Sequence, residues 1–365
     1  MDNKIRASDK SSELLSVLCS HWDKKMNLAR IKFIMLMILS LCKVQTVNYE
    51  KLATAFDSSA STSSNLRRIQ RFMSNYQLNM DLVARFIYCL LPHQPPYALA
   101  MDRTCWDFAG KEINILVLSV IYRGCAFPIL FSTCPGKGNS SWKDRAILIN
   151  RFTDLFGEKS IASLSADREF IGSEWMNYLR SKKISFYLRI KGNYIVQTRS
   201  GDKIRIDRLF DFLKVNQQYS FKRMFLQKGT KCYLTGIRFI NKEGKQELLV
   251  VASACSEKNV LNAYKMRWQI ESAFKALKTS GFNLEDTHLS DRFRIEKLFA
   301  IVCMAFTWAY VIGDHLDKNI KPIRILRNGR RAYSIFKYGL NYICRFILTG
   351  LKIKNFDPIR FLSCT

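Results

Sequence analysis

Three acidic side chains are distinguished by the elements that carry them. Asp102 closes the apolar run YALAMD at 97–102, Asp167 closes IASLSAD at 161–167, and Glu271 lies inside a helical run. An acid at the end of a buried strand emerges at a sheet edge, where sites form, and not within a core. Carboxylates on separate elements suit hard divalent cations such as Mg2+ or Mn2+, which take oxygen ligands and keep positions open for phosphate and water. Three such acids can hold two ions about 3.5–4 Å apart, the arrangement of two-metal phosphoryl transfer. Singly, each acid reads as readily as a surface or capping residue; the combination carries the signal.

A second pattern surrounds Glu271. Tyr264, Arg267, Glu271 and Lys278 are spaced by three, four and seven residues. At about 100° per residue they fall within roughly 60° of one another around a helix axis. A phenol, a guanidinium and an ammonium flanking an acid can grip phosphate oxygens beside a bound metal. The plainer reading is an i,i+4 ion pair of Arg267 with Glu271 on a solvated face.

The elements that must position these residues follow from periodicity and turn signals. Residues 1–95 read as helical. VNYEKLATAFDSSASTSSNLRRIQRFMSN (47–75) has the outline of two helices around a Ser-rich turn. Leu52, Ala53 and Phe56 face inward on the first, Leu66, Ile69 and Phe72 on the second, leaving Arg67, Arg68 and Arg71 displayed. An ordinary helical hairpin with a basic face fits the same pattern. HQPPY (93–97) is a linker. Strands are expected at 97–102, 113–122, 125–132, 161–167 and 184–191, with helices at 140–156 and 170–183. Three strands, a helix, a strand, a helix and a strand give the order of a ribonuclease-H-like mixed sheet, an α/β fold. Residues 192–252 read as a β-rich insertion, with turns at Ser200-Gly201, Lys228-Gly229 and Glu243-Gly244. One long helix is expected from about Ser256-Glu257 to Ser280. The core then closes at about residue 315, and 316–365 form a basic helical region.

Bulk properties point to the partner. Lys and Arg outnumber Asp and Glu by 58 to 30, a formal charge of +28 spread over 365 residues. That excess implies a polyanion, nucleic acid or an anionic membrane surface. The eleven cysteines include no C-x-x-C pair, which favours reduced thiols in a cytosolic protein and leaves no zinc spacing with the four histidines. The N-terminus is polar, without a signal-peptide pattern. The apolar runs 33–42 and 298–313 are shorter than the roughly 20 residues of a membrane span and read as buried helices.

The spacing Y-x2-R-x3-E-x6-K, together with the blocks MDRT, SADREF and YKMRWQIESAFKALK, resembles the insertion sequence 4 family of DDE transposases over about residues 47–315. The resemblance implies a ribonuclease-H-like core and Asp102, Asp167 and Glu271 as catalytic residues and ligands of two Mg2+ or Mn2+ ions. It also implies Tyr264, Arg267 and Lys278 on DNA, and cut-and-paste movement of an element by a homodimer bound to its ends. Arg103 and Arg168, directly after the aspartates, are candidates for phosphate contact or for structural pairing. Some members stack a Trp of the insertion on a flipped base during hairpin formation. Residues 192–250 hold no Trp here, which leaves Trp106 as the nearest stacking candidate. The rival readings are a nuclease or resolvase without strand transfer, a catalytically inactive DNA-binding relative, and a basic membrane-surface protein, which leaves the acids unexplained.

Overall fold

A computed structural model describes residues 7–22, 24–108, 111–134, 138–226, 229–256, 258–350, 353 and 356–363. Lys228 and Glu257, named above at a turn and a helix start, lie outside the described residues. The first helices are α1 (Ala7–Trp22), α2 (Leu28–Val44), α3 (Tyr49–Thr54), α4 (Thr62–Asn75) and α5 (Met80–Cys89). Next come β1 (Tyr97–Phe108), β2 (Lys111–Tyr122), β3 (Cys125–Thr133), α6 (Trp142–Phe156), β4 (Ile161–Ala166), α7 (Ser173–Ser181) and β5 (Ser185–Ile190). Strands β6 (Ile195–Gln197) and β7 (Lys203–Arg205), helix α8 (Ile206–Leu209), and strands β8 (Gln218–Phe225), β9 (Lys231–Ile240) and β10 (Gln246–Ser253) follow. The chain ends in α9 (Val260–Lys265), α10 (Gln269–Lys278), α11 (Arg292–His315) and α12 (Ile335–Thr349). It divides into two compact units, neither continuous in sequence: Gln94–Cys105 with Asn114–Ser272, and Met1–His93 with Trp106–Ile113 and Ala273–Thr365.

The first unit is built on a mixed sheet in the order β3-β2-β1-β4-β5-β10-β9-β8-β6-β7. Strands β2 and β3 are antiparallel and joined through Arg123-Gly124, both at positive φ (41° and 87°). Two successive positive φ values are what a two-residue hairpin turn requires, and Gly supplies one at no steric cost. Strands β1, β4 and β5 run parallel, and β10 returns antiparallel to β5. The region read as an insertion therefore extends the same sheet. Between β3 and β4, α6 starts at a capping box in which Ser141 and Asp144 satisfy each other's backbone N–H groups.

In the second unit the N-terminal and C-terminal helices, which the sequence reading kept apart, share one core. Helix α11 lies at its centre with side chains buried from Leu298 to Tyr310. At 24 residues it is longer than the sixteen-residue apolar run suggested; with the turn that follows, Arg292–Ile320 is long and apolar enough to cross a membrane, but its most apolar 18 residues are 94% buried inside the protein. Helix α12 crosses it closely: a Cβ at Gly339 would sit 1.8 Å from the Ala309 carbonyl oxygen, and one at Gly313 1.9 Å from that of Ile335. Among the described cysteines most are free thiols, as expected. Cys89 is disulfide-bonded, contrary to expectation; pairing depends on which segments meet in space, which spacing does not reveal.

Candidate active site

Helix α9 is seated on the sheet by an apolar cluster of Tyr187, Leu249, Val251, Val260, Leu261 and Tyr264. The single helix expected over 256–280 is instead α9, a 3-10 turn at Met266–Trp268 and then α10. The tighter turn falls at Arg267, and short 3-10 stretches between α-helical segments often mark functional positions.

Asp102 is not at a strand end; β1 continues to Phe108. Its placement follows from register. Met101 pairs with Ala166, the last residue of parallel β4, so Asp102 within β1 stands beside Asp167, the residue that follows β4; adjacent strands run about 4.8 Å apart. Burial pushes Asp102 up to about 6, with Asp167 and Glu169 adding to the rise; Arg267 and the Arg103 backbone N–H, which donates to its Oδ1 at 2.8 Å, pull the other way. Asp167 accepts from the Tyr264 hydroxyl at 3.3 Å and faces Arg189 at 3.9 Å.

Arg267 is 3% exposed and joins two of the three acids, at 2.7 Å to Asp102 and 3.1 Å to Glu271. Tyr264 is buried, and burial pushes its hydroxyl up to about 12. Two members of the expected DNA-gripping stripe therefore point into the protein, toward the acids. Lys278 belongs to the helical unit and pairs with Glu285 at 2.7 Å. The inward choice has a physical reason: a desolvated Asp102 carboxylate requires a cation, and the guanidinium fork satisfies two carboxylates at once.

The turn after Asp167 is fixed from two sides. Arg103 grips Glu169 with both arms, at 2.7 and 2.6 Å. Buried Arg145 donates to the Glu169 carbonyl at 3.1 Å and stacks over Phe170 at 4.8 Å. Arg103 is thus paired with Glu169, the structural arrangement that one of its two readings described, whereas Arg168 is exposed. Trp106 is 7% exposed, so no ring face is offered for stacking on a base. Glu169, Arg145 and Arg189 were missed by the sequence reading. Glu169 and Arg189 lie two residues after one acid and in the expected fifth strand, and only the fold connects them to the site.

The donor set suits a hard cation in part. Two oxygen-bearing side chains stand side by side at Asp102 and Asp167, and one is buried beside a positive charge it needs. Among the described residues, however, no group of three or more His, Cys, Asp or Glu side chains could hold a metal ion. Glu271 is 57% exposed and tied to Arg267. The three-acid cluster expected from the sequence is not assembled here, because Arg267 supplies the charge between Asp102 and Glu271.

An aspartate pair at adjacent parallel strands, backed by an acid-bearing helix, defines a class. Residues 91–308 match the family of transposase DDE domains, and the chain belongs to that family. Among solved structures it is similar to piggyBac transposase in a synaptic complex with hairpin DNA, at 12% identity over 97% of this chain and 81% of that one, with a TM-score of 0.46. No curated protein matches it.

Proposed function

We propose that this chain is an active DNA transposase that binds the ends of its own element, cleaves DNA there and joins the ends to target DNA. The register that brings Asp102 beside Asp167 is the observation that carries the reading. The order β3-β2-β1-β4-β5 is that of a ribonuclease-H-like core and supports it. Asp102, Asp167 and Glu271 would hold two Mg2+ or Mn2+ ions, whose chemistry is to activate the attacking oxygen and stabilise the leaving one. The chain's own part is positional. Arg103, Glu169 and Arg145 hold the two aspartates in register. Tyr264 and Arg189 orient the Asp167 carboxylate by hydrogen bond and charge. Arg267 neutralises Asp102 and Glu271 and would have to release Glu271 for the three acids to share a cation, and Arg168 is exposed beside Asp167 for phosphate.

The signature Tyr264, Arg267, Glu271 and Lys278 ties the reading to the insertion sequence 4 group. A hairpin intermediate and action as a homodimer belong to the same proposal, as does a cytoplasmic, nucleoid-associated location. The net charge of +28 supports DNA as the partner. Arg67 and Arg71 on α4 are exposed and suited to end binding. The inactive-relative reading draws on the Arg267 ties, which occupy two of the acids.

Incubating the protein with labelled ends of its element and Mg2+, then resolving the strands, tests the strand chemistry of this reading. Cleavage followed by joining to a second duplex is expected. Cleavage without joining would instead establish the resolvase reading, and binding without cleavage the inactive one.

A further inference from the structure

Helix α4 is built to present one face rigidly. Ser61 caps its N-terminus by accepting from the Ser64 backbone N–H. Asn65, Ile69, Phe72 and Met73 are buried beneath it. The last turn is clamped from α11, where buried Lys297 donates to the carbonyls of Phe72 at 3.0 Å and Met73 at 2.8 Å, and to that of Tyr76. An ammonium at a helix C-terminus satisfies carbonyls that have no intrahelical donor and complements the helix dipole.

The face opposite this core is narrow. Ser63, Arg67, Gln70 and Ser74 are all exposed, and at about 100° per residue they fall within roughly 60° of one another. Arg71 is exposed on the flank of that ridge. The three arginines of this helix are not equivalent. Arg68 turns back on its own segment, donating to Asn65 at 3.1 Å and Ser58 at 3.4 Å. The side chains of Arg67, Gln70 and Arg71 are committed to no hydrogen bond or ion pair among the described residues. The ridge thus carries an amide with one guanidinium a turn before it and a second on its flank. Leu66, Gln70 and Ser74 also line a cavity of about 550 Å³ together with Tyr49, His288 and Arg294. The amide therefore stands at the lip of a depression and not on a flat surface.

We propose that Gln70 is a base-reading residue of α4, pairing through its side-chain amide with the major-groove edge of adenine while Arg67 and Arg71 hold the neighbouring phosphates. This rests on the proposed end-binding role of the helical region. A carboxamide both donates and accepts, matching N6 and N7 of adenine bidentately, whereas arginines on phosphates fix register without carrying sequence. Fourteen residues of helix span about 21 Å at 1.5 Å per residue, enough to lie across a major groove. The molecule's positive charge is complementary to the duplex.

The test is selection of duplexes from a library of random-sequence 30-mers by the full-length protein and by its Gln70→Ala and Arg71→Ala variants. The parent should enrich a motif. Gln70→Ala should lose preference at one A·T position, by about 5- to 150-fold, and keep the rest. Arg71→Ala should keep the whole motif, bind every sequence more weakly and show a shallower salt dependence. A Gln70→Ala variant that enriches the parent's motif unchanged would overturn the assignment and leave end binding standing. A parent that enriches no motif would overturn the end-recognition reading and this inference together. Gln70 is exposed, so equal thermal melting of variant and parent is expected and separates reading from folding.

Discussion

Arg267 decides how the acids behave at the scale of single residues. Its guanidinium reaches Asp102 and Glu271 together, and an ammonium cannot bridge them with the same planar fork. Arg267→Lys should therefore slow cleavage by at least tenfold and also lower the melting temperature; cleavage at the parent's rate in a destabilised variant would reduce Arg267 to a fold-supporting role. Asp102→Ala should abolish cleavage and leave DNA binding intact, and a variant that still cuts would dismiss the aspartate pair as the site. Burial gives Asp102 a further signature. With its pKa displaced upward to about 6 in the folded protein, the protonated form favours folding. That contribution is fully present below the unfolded value of about 4 and is lost as pH rises through about 6. Metal-free protein should lose thermal stability over that window, and Asp102→Asn should flatten this part of the curve. Superimposable melting-versus-pH curves for the two proteins would count against it.

Helices and strands carry their own tests. The α11–α12 crossing depends on two glycines, because a Cβ at Gly339 meets a backbone carbonyl that has no rotamer with which to retreat. Gly339→Ala should cost about 1–3 kcal/mol or more, the range for overpacking, measurable by denaturant titration of the full chain. The Lys297 clamp acts between elements in the same unit. Lys297→Met keeps the apolar stem but leaves three carbonyls of the α4 end without their donor, at about 1–3 kcal/mol for a buried acceptor left unsatisfied. End binding should fall with it, and restoration by Arg would show that the cation, and not the length of the stem, is what α4 needs.

At the scale of the whole molecule, the helical unit is assembled from both ends of the chain. Removing residues 1–95 would take half of a shared core and unfold the remainder, so that deletion does not isolate DNA recognition. Surface substitution does. With the charge of the chain at +28, DNA affinity should fall steeply with salt. Arg67→Ala with Arg71→Ala should reduce the slope of log affinity against log salt by about 2, one per phosphate contact. An unchanged slope would move the end-binding surface elsewhere.

Much of this protein is legible in its sequence because local physics writes it there. Alternating and continuous apolar runs mark β2 to β5, Arg123-Gly124 marks a hairpin, the amphipathic stretch at 140–156 marks a helix, and Ile69 with Phe72 marks the buried side of α4. Each signal depends on a residue and its neighbours within a few positions. The same holds for the acid-bearing blocks, which carry family membership. The pairing across elements was not legible. Nothing local says that β1 runs past Asp102, that Tyr264 and Arg267 turn inward to two aspartates, that Trp106 is covered, or that Glu169 anchors Arg103. Nor does any window reveal that helices from the two chain ends share one core. Those outcomes are set by which buried charges must find partners and which apolar faces must be covered. Such demands are met between residues far apart in the chain, 165 positions for Asp102 and Arg267 and 225 for Phe72 and Lys297, and only the folded chain brings them together.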